Sequence, residues 1–199
     1  MVIAGHNGAG KTTCYETRLR EKVSALLGEH INPDEVEKEI RAESEPGDMT
    51  DLEFSRAAQE EAELRRNYLL EGGTSFSFET VGSHEGKVAF IKRAREAGYV
   101  VALLFVGLDS PEKSRDRVAL RVTRGGHNVP TDKIFGRYPR VIENMRLAVR
   151  EATLALVVDN STDGDPVEAS YRPVALYIEG RLRSGISNPP AWTAGLAES

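Results

Sequence analysis

The stretch AGHNGAGKTT, residues 4–13, constrains this chain more than any other. Gly5, Gly8 and Gly10 lead into Lys11 and Thr12, so residues 5–12 satisfy G-x-x-x-x-G-K-[ST]. Glycines let consecutive backbone N–H groups turn inward around phosphate oxygens. The helix that opens behind them adds its partial positive charge. Lys11 has the reach to meet β- and γ-phosphates, and the Thr12 hydroxyl suits Mg²⁺. The expected nucleotide site is therefore Gly5, His6, Asn7, Gly8, Ala9, Gly10, Lys11, Thr12 and Thr13, with ATP and Mg²⁺ as cofactors. Cys14, one step further into the helix, reads as a small packing residue, and Thr13 shares that reading.

A phosphate loop works between a strand and a helix, and the rest of the chain alternates the same two kinds of segment. Val2–Ala4 is the strand that feeds the loop, and 11–27 the helix that leaves it. EHIN (29–32) reads as a short second strand. Asn32 then caps a helix with Pro33 in its first turn and acids behind. Residues 51–71 form a helix whose apolar face is drawn from Leu52, Ala58, Ala62, Leu64 and Tyr68. TSFSFET (74–80), YVVALLFVG (99–107) and TLALVVD (153–159) are strands, the last two apolar enough to be covered on both faces. Helices are expected between them, over roughly 111–124 and 131–151 and around Val88, Phe90, Ile91, Ala94 and Ala97. PVALYIEGRL (173–182) is a last strand at the sheet edge, and 184–199, with Pro189-Pro190, an irregular tail. The fold class is α/β, a P-loop NTPase/kinase fold with a mostly parallel sheet flanked by helices. Residues 1–183 make one domain, with a helical lid over about 111–140.

Composition narrows the partners. At 199 residues and net charge −5, the chain has no bulk attraction for nucleic acid or an anionic membrane, so neither is expected as a partner. A single cysteine excludes an internal disulfide and suits a reducing cytoplasm. No apolar run reaches spanning length, and no signal peptide is expected before a strand that starts at Val2. The four histidines lack metal-ligand spacing, so Mg²⁺ with the nucleotide is the only metal expected.

Phosphoryl transfer needs a group to take the acceptor's proton and cations for the developing charge. Asp34 follows the second strand, but N-P-D-E is also an ordinary helix start, where acids suit the dipole. Glu79 closes SFSFE, at the strand end that faces the ligand crevice of such sheets. Arg117, Arg121 and Arg124 share one helical face, and Arg137 and Arg140 share the next. Gly125-Gly126 allow the two helices to fold together over a triphosphate.

These elements together resemble the zeta toxin family of P-loop kinases. The likeness rests on AGHNGAGKTT, INPDE, FSFETVGS, AGYVVALLFVGL, RVALRVTRGGHNVP and VVDNS, in order, over residues 3–161. It implies an ATP-dependent kinase acting on a small-molecule hydroxyl, UDP-N-acetylglucosamine being the family's best-known acceptor, with an antitoxin as a possible partner. It maps the catalytic base onto Asp34 and the phosphate-binding groups onto Lys11 and Thr12. The lid arginines map onto Arg121 and Arg137, with Arg117 and Arg124 in reserve, and the substrate contacts onto Asp34, Glu79 and Thr80. The family's arginine shortly after that acid has no counterpart here, since none occurs before Arg93. His127 and Asn128 read as lid contacts or turn formers. Asp159-Asn160-Ser161 reads as a base contact or a hydrogen-bonded turn. Two other functions stay open on sequence: a kinase of another hydroxyl compound, and a nucleotide-dependent switch. The second lacks a clear Walker-B aspartate.

Overall fold

A computed structural model describes residues 1–45, 47–162 and 171–196. Seven strands form one sheet in the order β2-β3-β1-β4-β5-β6-β7. They are β1 (Val2–Gly5), β2 (His30–Ile31), β3 (Ser77–Thr80), β4 (Ala102–Gly107), β5 (Leu154–Asp159), β6 (Arg172–Ile178) and β7 (Arg181–Gly185). The first five in sheet order run parallel, and β6 and β7 are antiparallel. The order reverses around β1, so the crevice at its carboxyl end is where a ligand belongs. Ile3, Leu104, Val106 and Val158 face α1 (Lys11–Cys14), a π-helical turn (Tyr15–Leu19) and α2 (Arg20–Leu27). Val2, Ala4, Phe78, Leu103, Phe105 and Val157 face the other side. There they pack on α4 (Asp51–Glu71), α5 (Gly86–Glu96) and α7 (Thr131–Glu151), with α3 (Pro33–Glu43) resting on α4. The alternation of neighbours between the two clusters is the period of a strand buried on both faces.

α6 (Pro111–Thr123) and the first half of α7 occupy the segment 111–140, joined by a turn at Gly125-Gly126. Ser110 caps α6 through its hydroxyl and Asn32 caps α3 through its amide oxygen. Both helices carry proline in the first turn, where its missing N–H is no loss.

Three expectations need correcting. The buried row of α4 is Phe54, Ala58, Ala62, Arg66 and Leu70, whereas Leu52, Leu64 and Tyr68 are exposed. Steps of four select that row, and its arginine hid it from a search for apolar faces. The segment 173–182 is not one strand: Glu179 and Gly180, both at positive φ, turn it into the β6–β7 hairpin. The segment after Ser184 is also more than an irregular tail. It completes β7, forms a 3₁₀ turn (Ala191–Thr193) and buries Trp192 and Leu196 in the main core. Gly107 makes this possible, because a Cβ there would lie 2.2 Å from the Trp192 ring. Residues 197–199 of that segment lie outside the described residues.

Candidate active site

The phosphate loop is held from three sides. Asn160, at the end of β5, donates from Nδ2 to Ala9 O at 2.8 Å. Tyr171, at the start of β6, donates to Gly10 O at 2.8 Å. Ser114 of α6 donates to Asn7 O at 2.6 Å. Gly10 sits at φ +87°, and a Cβ on it would crowd both Asn160 and Tyr171 at 3.0 Å. His6 points away from the opening. Its Nδ1 accepts from Leu108 N–H at 3.3 Å, and its ring stacks on Tyr138 of α7 at 4.4 Å. Burial, and then the charge of Lys11, lower the His6 pKa to about 3, so the ring is neutral. Burial raises Cys14 to about 11, in keeping with a packing role.

Above the loop opens a cleft of about 500 Å³. Asn7, Gly8, Gly10, Lys11, Thr12 and Thr13 line its floor. Gly5, His6 and Ala9 lie behind it and act through the loop's shape. Lys11 donates from Nζ to Gly5 O and His6 O, each at 3.0 Å, which curls it over the loop. Burial lowers its pKa, while Glu79 and Asp34 act to raise it.

Glu79, nearly buried at the end of β3, is the hub of the floor. Its Oε2 accepts from Thr12 Oγ1 at 2.8 Å, and its Oε1 accepts from Asn32 Nδ2 at 3.3 Å. His30 Nε2 lies 3.4 Å from the same oxygen, its Nδ1 is 2.8 Å from Ser77 Oγ, and Tyr15 stacks on its ring at 3.6 Å. The π turn that begins at Tyr15 shifts the helix register and brings that ring inward, a common use of such turns near functional sites. Sequence reasoning had not selected His30, Asn32 or Tyr15. The available signal was that β2 runs beside β3, which places His30 opposite Ser77.

Thr12 and Glu79 present a hydroxyl and a carboxylate oxygen 2.8 Å apart. Hard oxygen donors in this number suit Mg²⁺, which keeps several waters and takes its remaining ligands from phosphate. No cluster of three or more His, Cys, Asp or Glu suited to a metal occurs among the described residues.

Across the floor stand the base candidate and the lid. Asp34 lies in the first turn of α3, its N–H donating to Asn32 Oδ1 at 2.9 Å. It is thus a true helix-start residue, and it also lines the cleft, with Oδ2 3.5 Å from Arg121 Nη1. Arg121 donates from Nη2 to His127 O at 2.6 Å, while His127 Nδ1 stands 3.6 Å from Glu37. Arg117, Arg121, Arg124 and Arg137 all line the cleft, together with His127 and Asn128. Arg140 does not; it bonds Gly136 O of its own helix at 3.1 Å. Burial and then Arg140 lower the Arg137 pKa. Thr80 lines the wall, its hydroxyl accepting from Gly82 N–H at 3.1 Å.

Asp159, the last residue of β5, and Asn160-Ser161 after it are held by hydrogen bonds, and none of the three lines the cleft. Asp159 accepts from Trp192 Nε1 at 3.2 Å, from Arg172 at 3.1 Å and from Ser161 Oγ.

A loop that presents backbone amides, a hydroxyl–carboxylate pair, an aspartate and a ring of arginines on one cleft suits transfer between a polyphosphate and a second molecule. The family model that matches this chain, over residues 1–164, is the zeta toxin. The chain belongs to the zeta toxin family. Among solved structures, the AvrRxo1-ORF1:AvrRxo1-ORF2 complex with sulphate ions contains a chain similar over 100% of this one, at 19% identity and TM-score 0.71. The same complex with ATP gives 20% identity, TM-score 0.69 and 92% coverage. This zeta toxin family chain spans 62% and 60% of those two chains. A structure of the PezAT chromosomal toxin-antitoxin system of Streptococcus pneumoniae matches 79% of it at 16% identity and TM-score 0.53, covering 66% of its own chain. At such identities the likeness concerns the fold, a mostly parallel sheet flanked by helices. No curated protein matched. No described helix is long and apolar enough to cross a membrane.

Proposed function

We propose that this zeta toxin family protein is an ATP-dependent phosphotransferase that moves the γ-phosphate to a hydroxyl of a small molecule. UDP-N-acetylglucosamine is the first acceptor to try. The observation that carries the reading is the pairing of Asp34 with Arg121 at 3.5 Å, on the same cleft as Lys11 and Thr12. A base and a lid cation meet where an acceptor hydroxyl would approach the terminal phosphate.

In this reading the loop amides and Lys11 hold the triphosphate. Thr12 and Glu79 would hold Mg²⁺, which would supply charge neutralisation there. Asp34 takes the hydroxyl proton as the new O–P bond forms and the bond from the γ-phosphorus to the β,γ-bridging oxygen breaks, releasing ADP, and this proton transfer is worth about 10²–10⁴ in rate. Arg121 and Arg137 stabilise charge on the transferring group, in the manner of arginine fingers in cis. Glu79 and Thr80 face the acceptor side. The AvrRxo1 and PezAT structures contain a second gene product or an antitoxin system, which supports a neutralising protein partner here. A single kinase domain over 1–183, with its lid at about 111–140, and a cytoplasmic location complete the proposal.

The test is product analysis. The purified protein, ATP and Mg²⁺ are incubated with UDP-N-acetylglucosamine and, separately, with a metabolite extract, and products are searched by mass for one added phosphate. A phosphorylated metabolite supports the kinase reading. ADP and inorganic phosphate alone, with no labelled acceptor, overturn it.

A further inference from the structure

The turn Gly125-Gly126-His127-Asn128 between α6 and α7 does more than reverse the chain. It is built around Arg121. Gly126 N–H donates to Arg121 O at 3.0 Å, and Arg124 N–H donates to the same oxygen at 3.1 Å. A Cβ on Gly126 would lie 2.5 Å from Arg121 Cγ, so this position must be bare for the arginine to pass over it. The guanidinium then donates from Nη2 to His127 O at 2.6 Å. Its other groups are loosely engaged. Nη1 reaches Asp34 Oδ2 at 3.5 Å, and Nε is buried with no hydrogen-bond partner among the described residues. The His127 carbonyl is the shortest of these contacts, so it sets where the guanidinium points.

Two adjacent glycines leave the turn with wide backbone freedom, and Gly125 sits at φ +81°. The other end of His127 ties it down. The ring Nδ1 stands 3.6 Å from Glu37 Oε1 on α3. Glu37 is 7% exposed, and its carboxylate is anchored. Oε1 accepts from Arg41 Nε at 3.0 Å and from Arg41 Nη2 at 2.8 Å. Arg41 in turn donates to Asp51 at 2.9 Å and lies over the Phe54 ring of α4 at 4.2 Å. A surface ion pair one helical turn apart swings freely and contributes little. Here the carboxylate is buried and the cation rests on an aromatic ring. Asp34 and Glu37 are three residues apart on α3, so one helix face meets both the guanidinium and the imidazole.

We infer that Glu37 and His127 are positioning residues for phosphoryl transfer: Glu37 holds the His127 ring to α3, and the His127 carbonyl aims the Arg121 guanidinium at the transferring phosphate. Neither side chain touches the reacting atoms. Their effect is geometric, and a misplacement of about 1 Å originating far from the chemistry can cost about 10²-fold in rate. The gap of 3.6 Å between ring and carboxylate shortens in the working complex, as catalytic contacts do. The inference rests on the kinase reading, through the assignment of Arg121, and its test separates the two.

The test is a double-mutant cycle on the purified protein, read as ADP release at saturating ATP and Mg²⁺. It is run with the acceptor found by product analysis and also with water, so that the cycle stands even where the acceptor assignment falls. His127→Ala and Glu37→Gln should each lower kcat about tenfold, less than Arg121→Ala does, with KM for ATP close to wild type. In an Arg121→Ala background the same two changes should cost nothing further, because the group they aim is gone. His127→Asn, whose amide replaces the ring Nδ1–H, should regain most of the lost rate. Thermal melts on the same samples check folding, and His127→Ala decides the matter if the buried Glu37 tolerates no change. Losses that add in full to that of Arg121→Ala, or that fall on KM for ATP alone, overturn the inference and leave the kinase reading standing. Wild-type kcat in His127→Ala overturns it as well. Full kcat in Arg121→Ala removes the role of that arginine in transfer, and the inference with it.

Discussion

At the loop end of the cleft the chain works with its backbone, and at the acceptor end it works with long side chains. The loop's carbonyls are fixed by Asn160, Tyr171 and Ser114, brought from β5, the start of β6 and α6. The proposed acceptor end is a set of loosely paired charges: Asp34 with Arg121, and Glu63 with both Arg66 and Lys87. A rigid backbone cradle suits a cosubstrate that never changes. Adjustable side chains suit a partner whose identity can vary between related proteins while the loop stays the same.

The first way to break this contrast is at the loop. Lys11→Ala removes the cation nearest the phosphates, and phosphoryl transfer should fall by about 10³-fold or more. The melting temperature should stay close to wild type, because Lys11 lines the cleft and not the core. Near-normal product formation by the folded variant would mean that the cradle holds triphosphate without it.

Next comes the acceptor end. Asp34→Asn keeps shape and hydrogen-bonding capacity but is not a base at neutral pH. Turnover should drop by about 10²–10⁴ with ATP affinity intact. The rival expectation follows from its place in the first turn of α3: about 1 kcal/mol of stability lost and full turnover kept. Product assay and thermal melt on one sample separate the two.

The lid joins both ends. Arg121→Ala and Arg137→Ala should each lower kcat by about 10²-fold, more than they weaken ATP binding, because contacts to developing charge strengthen in the transition state. A loss confined to ATP affinity would assign that arginine to the ground-state complex.

Asn160→Ala sharpens the backbone side. It leaves the buried Ala9 carbonyl without its donor, at a cost of about 1–3 kcal/mol. Thermal stability should fall and KM for ATP rise together. A stable variant with normal KM would show that the loop holds its shape unaided.

The last test is a pH slope. His6 has its pKa lowered from 6.5 to about 3 by burial. Between those values the unfolded chain binds a proton that the folded one refuses, so stability falls as pH drops through that window. Melting temperatures of wild type and His6→Gln, compared from pH 7 to 4, should show the shallower slope in the variant. Parallel slopes would mean that the ring protonates without penalty.

The same contrast explains what the sequence revealed. A motif set by backbone geometry is contiguous, so residues 5–12, the α/β alternation and the arginine faces of α6 and α7 were readable directly. Glu79 was placed by a strand-end rule, but not its bonds with Thr12 and Asn32, which need β1, β2 and β3 side by side. Arg66 was invisible because an arginine in an apolar row looks like the end of that row. Trp192 was missed because Pro189-Pro190 mask a short segment whose docking, with the ring against Gly107, is set by distant strands.

The latches on the phosphate loop also have a temporal meaning. Ala9 and Asn160 are 151 positions apart, and Gly10 and Tyr171 are 161 apart. During synthesis the glycines are made well before Asn160 and Tyr171, which lock them. Contacts of such separation form late, after the intervening chain has paid its loop-closure entropy. A growing chain therefore carries an unlocked cradle until β5 and Tyr171 have been made. Under the proposed function, that order keeps chains without those segments idle.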